Sequence, residues 1–287
     1  GPAWSGFCIT LPWEVFLQYG DTRILEENLD TMQRWLDFLQ TKAKDDLLVR
    51  WGGEWDFLGD WLWPGARGVN GDTVETLFFN NAYWIYNLQT AARIAEILGR
   101  TDDAARYCQR ADAVRRAVHE RFFLPEDNSY VNGFPAYLAV ALLTEVPPQD
   151  LRPAVWKRLE QEILVQRKGH IWAGITGGAF LMKTLMEADR HDLLFEMVRQ
   201  EDYPGWGDQL HKGATTFWES WDDNPGLSYL HSSFLYVGSW FIEGLAGIRP
   251  DPNGLGFKHA LIKPAILADH GLNKVTASYD SLYGPIR

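Results

Sequence analysis

The spacing of apolar residues along the chain predicts pairs of helices joined by short turns. From Glu75 to Leu98 apolar and small residues recur at helical spacing, which predicts a long amphipathic helix. Gly99 follows at a position where a helix end favours a left-handed residue, and Thr101 or Asp102 can cap a second helix. The two helices form an αα-hairpin.

Similar turns occur twice more. Tyr19-Gly20-Asp21-Thr22 separates an apolar segment starting near Ile9 from a helix with apolar residues between Ile24 and Leu39. Glu187-Ala188-Asp189-Arg190 separates two further helical segments. The remaining predicted helices are Ala136–Leu143, Pro153–Gln166 and Leu230–Ala246. Repeated helix pairs predict a mainly α fold, and a toroid of such pairs would gather its longer connections at one end.

The character of the chain changes after Gly247. Arg249-Pro250-Asp251-Pro252-Asn253-Gly254 breaks helices, and short β-prone runs follow at Ala260–Ile262 and Lys274–Ser278. We therefore divide the chain into a helical domain, residues 1–248, and the opening strands of a β-domain, residues 249–287. So few strands cannot close a sheet, so the tail either docks on the helical body or belongs to a larger β-domain.

The longer connections hold the unusual residues. The chain contains 14 Trp, and the segments Trp51–Asp72, His170–Gly178 and Tyr203–Asp223 are rich in Trp, Gly, Asp and Glu. Indole rings offer flat apolar faces to the C–H faces of sugars, although they also fill ordinary cores. Rigid scaffolds usually carry their functional residues on such loops.

The densest chemistry lies around Glu219, which stands between Trp218 and Trp221 and beside two further acids. Glycoside hydrolysis needs one carboxylic acid to protonate the leaving oxygen and one carboxylate to activate water or attack carbon. Glu219 suits the second role, and the alternative is a helix-capping or ion-paired residue. In a second acidic and aromatic loop, Asp60 could bind sugar hydroxyls and Trp61 could stack on the ring. Asp60 could equally bond backbone amides in a turn.

His231 follows the Glu219 segment at the start of a predicted helix, where its imidazole could bond a hydroxyl group or serve only the structure. The glycines of residues 174–178 lack the lysine of a phosphate-binding loop, and the histidines lack partners at metal-ligand spacing. No metal and no other cofactor is implied.

Charge and composition exclude several partners. The net charge of -11 opposes nucleic-acid binding. No apolar stretch reaches the roughly 18 residues of a membrane helix, and the pattern of a signal peptide is absent, so no membrane partner is expected and the compartment stays open. Cys8 and Cys108 alone do not support a disulfide framework.

The motifs, taken in order, resemble the bacterial α-L-rhamnosidases of glycoside hydrolase family 78 over nearly the whole chain. The most specific is Ala214-Thr215-Thr216-Phe217-Trp218-Glu219-Ser220-Trp221-Asp222. It is accompanied by Ala3-Trp4-Ser5, Pro12-Trp13, Tyr19 to Leu25, Gly59-Asp60-Trp61-Leu62, Tyr203-Pro204-Gly205-Trp206, His231, Gly247-Ile248 and Gly256-Phe257-Lys258-His259. The resemblance implies an (α/α)6-type barrel followed by a β-sandwich domain.

The resemblance also implies an inverting hydrolase acting on terminal α-L-rhamnose, with Glu219 as the general base. Residue-by-residue matching assigns sugar contacts to Trp4, Trp61 and His231, and also to Asp60 and Trp206. Trp218 and Trp221, which flank the base, are included among the substrate-binding residues. Rhamnose-containing glycosides or polysaccharides are the expected substrates.

The chain departs from the family pattern in three respects. Gly6 stands where many relatives have Asp, and the interval from Glu219 to His231 is shorter than in many relatives. The family places its general acid in an Asp-x-x-x-Arg-x-Glu-Arg segment, which these residues lack. We expect that segment and the first barrel helices upstream of Gly1. The alternatives are another α/α-barrel glycosidase, a polysaccharide lyase, or a rhamnose-binding remnant without turnover.

Overall fold

The computed structural model describes residues 1–53, 55–65, 68–251 and 254–287, and most of them are helical. The α-helices are α1 Pro2–Ser5, α2 Phe7–Tyr19, α3 Arg23–Thr41, α4 Val74–Ile97, α5 Thr101–Phe122, α6 Pro135–Leu143, α7 Arg152–Gln161, α8 Ile175–Glu187, α9 His191–Val198, α10 Trp206–His211 and α11 Val237–Ser239. Two π-helical segments, Glu162–Gln166 and Trp240–Leu245, continue α7 and α11, and a 3₁₀ turn spans Ala268–His270.

The strands are short and pair within antiparallel two-stranded units. They are β1 Ala43–Lys44, β2 Leu47–Leu48, β3 Leu58–Trp61, β4 Gly68–Asn70, β5 Phe123–Leu124, β6 Ser129–Tyr130, β7 Ile248–Pro250, β8 Ala260–Ile262, β9 Tyr279–Ser281 and β10 Gly284–Ile286. In β4 the backbone alone is described.

The predicted helical hairpins are present. The turn between α2 and α3 contains Gly20 at φ 69°, and the turn between α4 and α5 contains Gly99 at φ 71°. Glycine reaches this left-handed region without a Cβ clash, so the chain reverses within a few residues. The hairpin of α8 and α9 turns at Ala188–Arg190 as expected. The predicted mainly α fold of helical hairpins is confirmed.

The first helices of successive hairpins form a continuous wall. Helix α2 contacts α4, α4 contacts α6, α6 contacts α8, and α8 contacts the π-helical segment Trp240–Leu245. The second helices, α3, α5, α7 and α9, pack against their own partners. Helix α1 contacts β3, and β3 contacts α8, so the segments that precede α2, α4 and α8 lie together. This places the first two long connections at one end of the wall.

Helix α4 differs from the amphipathic helix predicted for Glu75–Leu98. Every residue from Phe78 to Leu88 is buried, including Asn80, Asn81 and Asn87. A helix surrounded by packed elements is apolar on all faces, and α4 contacts α1, α2, α3, α5 and α6. The helical spacing therefore predicted the helix correctly, but one-sided burial holds only in its last turns, where Arg93 and Glu96 are exposed.

The predicted helix Leu230–Ala246 begins later, at Val237. Residues 230–236 form turns because their backbone groups bond elsewhere. The amide of His231 donates to the carbonyl of Phe217 at 2.8 Å, and the indole Nε1 of Trp206 donates to the carbonyl of Phe234 at 3.2 Å. His231 therefore does not begin a helix.

The C-terminal residues form two hairpins that dock on the helical body. In the first, Ile248 pairs with Ile262, so the predicted strand Ala260–Ile262 is confirmed. The strand predicted at Lys274–Ser278 lies later, at Tyr279–Ser281. The amide of Gly256 donates to the carbonyl of Leu17 at 3.3 Å, which ties this region to α2. The division between residues 248 and 249 stays a prediction, and β7 spans it.

Among the residues that the structure describes, no helix has both the length and the apolar character needed to cross a membrane.

Candidate active site

Glu219 lies in the connection between α10 and α11, residues 212–236, which we call the Glu219 loop. The amide of Glu219 donates to the carbonyl of Ser228 at 2.9 Å, and the amide of Ser228 donates back to Oε2 of the Glu219 side chain at 2.9 Å. The residue is partly exposed. Two hydrogen bonds with the backbone of Ser228 thus hold both the main chain and the carboxylate of Glu219 at the surface of the loop.

His231 lies on the returning arm of the same loop. The backbone amide of His231 donates a hydrogen bond to the carbonyl of Phe217, which precedes Glu219 by two residues. The backbones of His231 and the Glu219 segment therefore lie side by side. The imidazole Nδ1 lies 2.5 Å from Oγ of Ser233, which is buried, while His231 itself is exposed. The structure therefore brings Glu219 and His231 onto one loop, with the imidazole oriented by a buried hydroxyl group.

Trp221, which the sequence predicts as a substrate-binding residue, is a core residue in this structure. It is 1% exposed, its ring stacks on Phe234 with centroids 3.9 Å apart, and its Nε1 donates to the carbonyl of Ala173 at 2.8 Å. The indole therefore has no free face or edge for a ligand. Its role in this structure is to anchor the Glu219 loop to the residues before α8.

Trp206 and Trp218 are also largely buried, at 8% and 6% exposed. Trp206 packs edge-on against Trp221 with centroids 5.1 Å apart, and Trp218 packs edge-on against Tyr229 at the same separation. Little of either side chain is accessible. Contacts of these two residues with a sugar stay a prediction.

Trp4 and Trp61 lie on neighbouring elements at the same end of the wall. Trp4, in α1, is 38% exposed, and Trp61, in β3, is partly exposed and packs edge-on against Trp55 at 6.2 Å. Buried Asn80 connects the two elements, because its Oδ1 accepts the amide of Ala3 at 3.1 Å and its Nδ2 donates to the carbonyl of Leu58 at 2.8 Å. Both indoles thus keep accessible surface on a rigid support.

Asp60, for which the sequence left sugar binding and backbone-amide bonding both open, is buried. It is 2% exposed, and its carboxylate accepts the amides of Gly174 at 2.6 Å, Gly177 at 2.8 Å and Trp61 at 3.0 Å. Burial raises the pKa of Asp60 to about 6, although these amide donors act in the opposite direction. The alternative that the sequence left open, a carboxylate bonded to backbone amides, is the one observed.

Two contacts connect the Glu219 loop with the β3 region. The first is the bond from Trp221 to Ala173, which precedes the Gly174 that Asp60 holds. The second involves Tyr203, whose hydroxyl group accepts the amide of Gly65 at 2.9 Å and also hydrogen-bonds Asp222. Burial, together with the neighbouring Asp222 carboxylate, raises the pKa of Tyr203 to about 12. These contacts connect the Glu219 loop with the segment before α8 and with the segment that follows β3.

A separate groove lies on another side of the Glu219 loop. It has a volume of about 640 Å³, and Glu219 does not line it. Its wall includes Trp206, Leu210, Phe217 and Phe241. This groove is therefore distinct from the surface that carries Glu219.

Sequence reasoning missed Asn80 and Tyr203, and it assigned no role in the site to Gly174 and Gly177. A weak signal existed for Asn80, since consecutive Asn80-Asn81 are unusual within an otherwise apolar helix. No local signal linked Tyr203 to Gly65, because 138 residues separate them. Within the described parts of the chain, no cluster of three or more histidine, cysteine or acidic side chains could hold a metal ion.

Comparison with protein families bears on this arrangement. Residues 1–245 match the family described as the bacterial alpha-L-rhamnosidase 6 hairpin glycosidase domain. The chain belongs to this family. The six-hairpin description agrees with the wall of helical hairpins observed here.

Individual α-L-rhamnosidases match almost the entire chain. That of Alteromonas sp. (strain LOR) is 29% identical over 284 residues, 93% of this chain and 30% of the relative. That of Formosa agariphila is 26% identical over 298 residues, 99% of this chain and 31% of the relative. This rhamnosidase-family chain thus spans about three-tenths of the length of these curated relatives.

Solved structures of the family superpose closely. The α-L-rhamnosidase of Dictyoglumus thermophilum gives a TM-score of 0.81 at 26% identity, over 92% of this chain and 29% of that one. The Streptomyces avermitilis α-L-rhamnosidase complexed with L-rhamnose gives 0.82 at 26% identity, over 97% of this chain and 26% of that one.

Proposed function

We propose that the protein containing this rhamnosidase-family domain hydrolyses terminal non-reducing α-L-rhamnose from glycosides or polysaccharides. The observation that carries the proposal is the fixed, partly exposed carboxylate of Glu219 on a loop anchored beside the β3 region. The names of the relatives support rhamnose as the sugar that is released, since they are α-L-rhamnosidases and one solved structure contains L-rhamnose.

In this mechanism Glu219 is the general base of an inverting reaction. It removes a proton from a water molecule that attacks the anomeric carbon, while a carboxylic acid on the other side protonates the leaving oxygen. Such carboxyl groups stand about 6.5–9.5 Å apart, which leaves room for the water. The hydrogen bond from the backbone amide of Ser228 holds Oε2 of Glu219 in place during the proton transfer.

Trp4, Trp61 and His231 are the proposed sugar contacts. Both indoles keep accessible ring surface, which suits stacking against the apolar face of rhamnose. The exposed imidazole of His231, oriented by Ser233, suits a hydrogen bond to a sugar hydroxyl group. Trp206 and Trp218 are proposed as lesser sugar contacts, because both are largely buried and Trp206 also lines the separate groove.

The base assignment is tested with Glu219→Gln in the full-length protein, assayed on an aryl α-L-rhamnoside. The amide keeps the size of the side chain but cannot accept the proton, so we expect kcat to fall by about 10²- to 10⁴-fold. Glu201→Gln, at an exposed position outside the site, is the matched control and should retain wild-type turnover. Unchanged turnover in Glu219→Gln would refute the role.

The stereochemistry and the second carboxyl group have their own tests. Proton NMR of the first product should show rhamnose of inverted anomeric configuration, and a retained configuration would contradict the mechanism. The 287 residues alone should show little or no hydrolysis, because they lack the family segment that supplies the general acid. Robust turnover by them would show that another acid replaces it.

A further inference from the structure

Asp60 forms a link that the reaction scheme above does not use. Its carboxylate binds the amides of Gly174 and Gly177 at the start of α8, and its own Oδ1 also accepts the amide of Trp61. One buried side chain therefore joins β3, which carries Trp61, to a segment more than a hundred residues away.

The backbone around this link allows unusually close approach. A Cβ placed on Gly174 would lie 2.0 Å from the carbonyl oxygen of Trp61, and one placed on Gly177 would lie 2.3 Å from Oδ2 of Asp60. Only glycine fits at either position without displacing the backbone or the carboxylate. The contact between Asp60 and the start of α8 therefore requires both the aspartate and the two glycines.

The link continues to the Glu219 loop. Ala173, next to Gly174, offers its carbonyl to Nε1 of Trp221 at 2.8 Å, and Trp221 is two residues after Glu219. Trp221 is in turn clamped by its stack on Phe234 in the returning arm of the loop. A rigid path of one ionic and one neutral hydrogen bond therefore connects Trp61 with the segment that carries Glu219.

We propose that Asp60 is a positioning residue that sets the Glu219 loop relative to Trp61 through Gly174, Ala173 and Trp221. The proposal rests on the proposed function of Glu219, and it assigns Asp60 no contact with the sugar. Small misplacements of a reacting group cost up to about 10²-fold in rate, so such a link affects turnover without touching substrate.

The link depends on pH in a characteristic way. The groups that face Asp60 are Tyr137 of α6 and Tyr236 at the start of α11, and burial raises the pKa of both phenols, so they remain neutral as Asp60 titrates. Burial raises the pKa of Asp60 from 3.8 to about 6. Opening the link would expose this carboxyl group to solvent, where its ordinary pKa is 3.8, so protonation near pH 6 favours the closed link.

The stability of the whole fold changes in the same direction. Because the pKa of Asp60 is higher in the folded chain than its ordinary value, the folded state binds the proton more tightly. This group's stabilising contribution is complete below the ordinary value and is lost as the pH rises through about 6. Acidification through about pH 6 should therefore strengthen the link and the fold together.

The test compares Asp60→Asn with Asp56→Asn in the full-length protein. Asp56 is also buried and accepts the backbone amides of Trp51, Gly52 and Phe57, but these bonds stay within its own turn. We expect Asp60→Asn to lower kcat by about ten- to a hundredfold, with a smaller change in KM, because the link that positions the loop is weakened. Asp56→Asn should leave kcat close to the wild-type value.

A second measurement does not need activity or a variant that folds. Hydrogen exchange of the wild-type protein between pH 5 and pH 8, corrected for the intrinsic pH dependence, should show peptides covering residues 171–178 and 217–231 losing protection together as the pH rises above about 6. Wild-type kcat in a folded Asp60→Asn variant, or protection that changes with pH in only one of the two peptides or in neither, would overturn the proposal.

The two proposals fail in different ways. If Glu219→Gln stops hydrolysis while Asp60→Asn behaves as wild type, the positioning role is wrong and the proposed function stands. If the protein does not hydrolyse rhamnosides at all, coupled exchange of the two peptides still shows the link through Asp60, and only its catalytic meaning is lost.

Discussion

Helices α4 and α5 and the Glu219 loop satisfy their backbone polar groups in different ways. In the hairpin the backbone hydrogen bonds run within each helix, and the turn is completed by the amide of Gly99, which donates to the carbonyl of Glu96, and the amide of Arg100, which donates to the carbonyl of Ala95. In the loop the carbonyl of Ser220 accepts Nε2 of Gln209, a side chain from α10. Local sequence therefore specifies the hairpin, while distant side chains hold the Glu219 loop in place.

The difference has a functional consequence. A segment that depends on single side-chain bonds opens at lower free-energy cost than a packed helix pair, and active-site segments are often of this kind. Three substitutions measure how far this contrast extends, one in the helical wall, one at the loop and one in a local cap.

The largest effect is expected from Phe79→Ala in α4. Phe79 is fully buried and packs edge-on against Tyr137 and Phe180 with centroids 6.2 Å away in each case. Loss of the ring leaves a cavity in the wall, so we expect the free energy of unfolding to fall by about 3–5 kcal/mol in urea titrations. Phe79→Leu should cost less, and a loss below that of Phe79→Leu would contradict tight packing here.

Turn and helix signals of this helical region could be read from the sequence. Gly20 and Gly99 marked two hairpin turns, and helical spacing located α4. The same spacing could not show that α4 is buried on all sides, because that depends on neighbours remote in sequence.

The candidate site was less predictable for a related reason. Glu219 was recognisable from its aromatic and acidic neighbours, but the packing roles of Trp221 and Asp60 were not. Their partners Ala173 and Gly174 lie 48 and 114 residues away. A buried aspartate bonded to amides and an aspartate bonded to sugar look alike in sequence, so the two interpretations can be distinguished only when the hydrogen-bond partner is known.

A smaller effect, concentrated in the loop, is expected from Gln209→Met. Gln209 is 3% exposed, and its amide donates to the carbonyl of Ser220 at 2.9 Å. Methionine fills a similar volume but leaves that buried carbonyl without its donor, which costs about 1–3 kcal/mol. Thermal unfolding should shift downward, and hydrogen exchange should increase in the peptide containing Glu219 before it increases in α4. Uniform loss of protection in both regions would show that the loop and the helix pair open as one unit.

The smallest effect is expected from Thr73→Ala at the start of α4. Oγ1 of Thr73 accepts the amide of Thr76 at 3.3 Å, and Oγ1 of Thr76 accepts the amide of Thr73 at 3.2 Å, which forms a capping box. Removing the cap should cost about 1 kcal/mol, and Thr73→Ser, which keeps the hydroxyl group, should recover most of it. Because the box joins residues three apart, its loss should leave exchange in the Glu219 loop unchanged. A rise in loop exchange equal to that of Gln209→Met would mean that α4 positions the loop as strongly as Gln209 does, and the contrast between local and distant stabilisation would then fail.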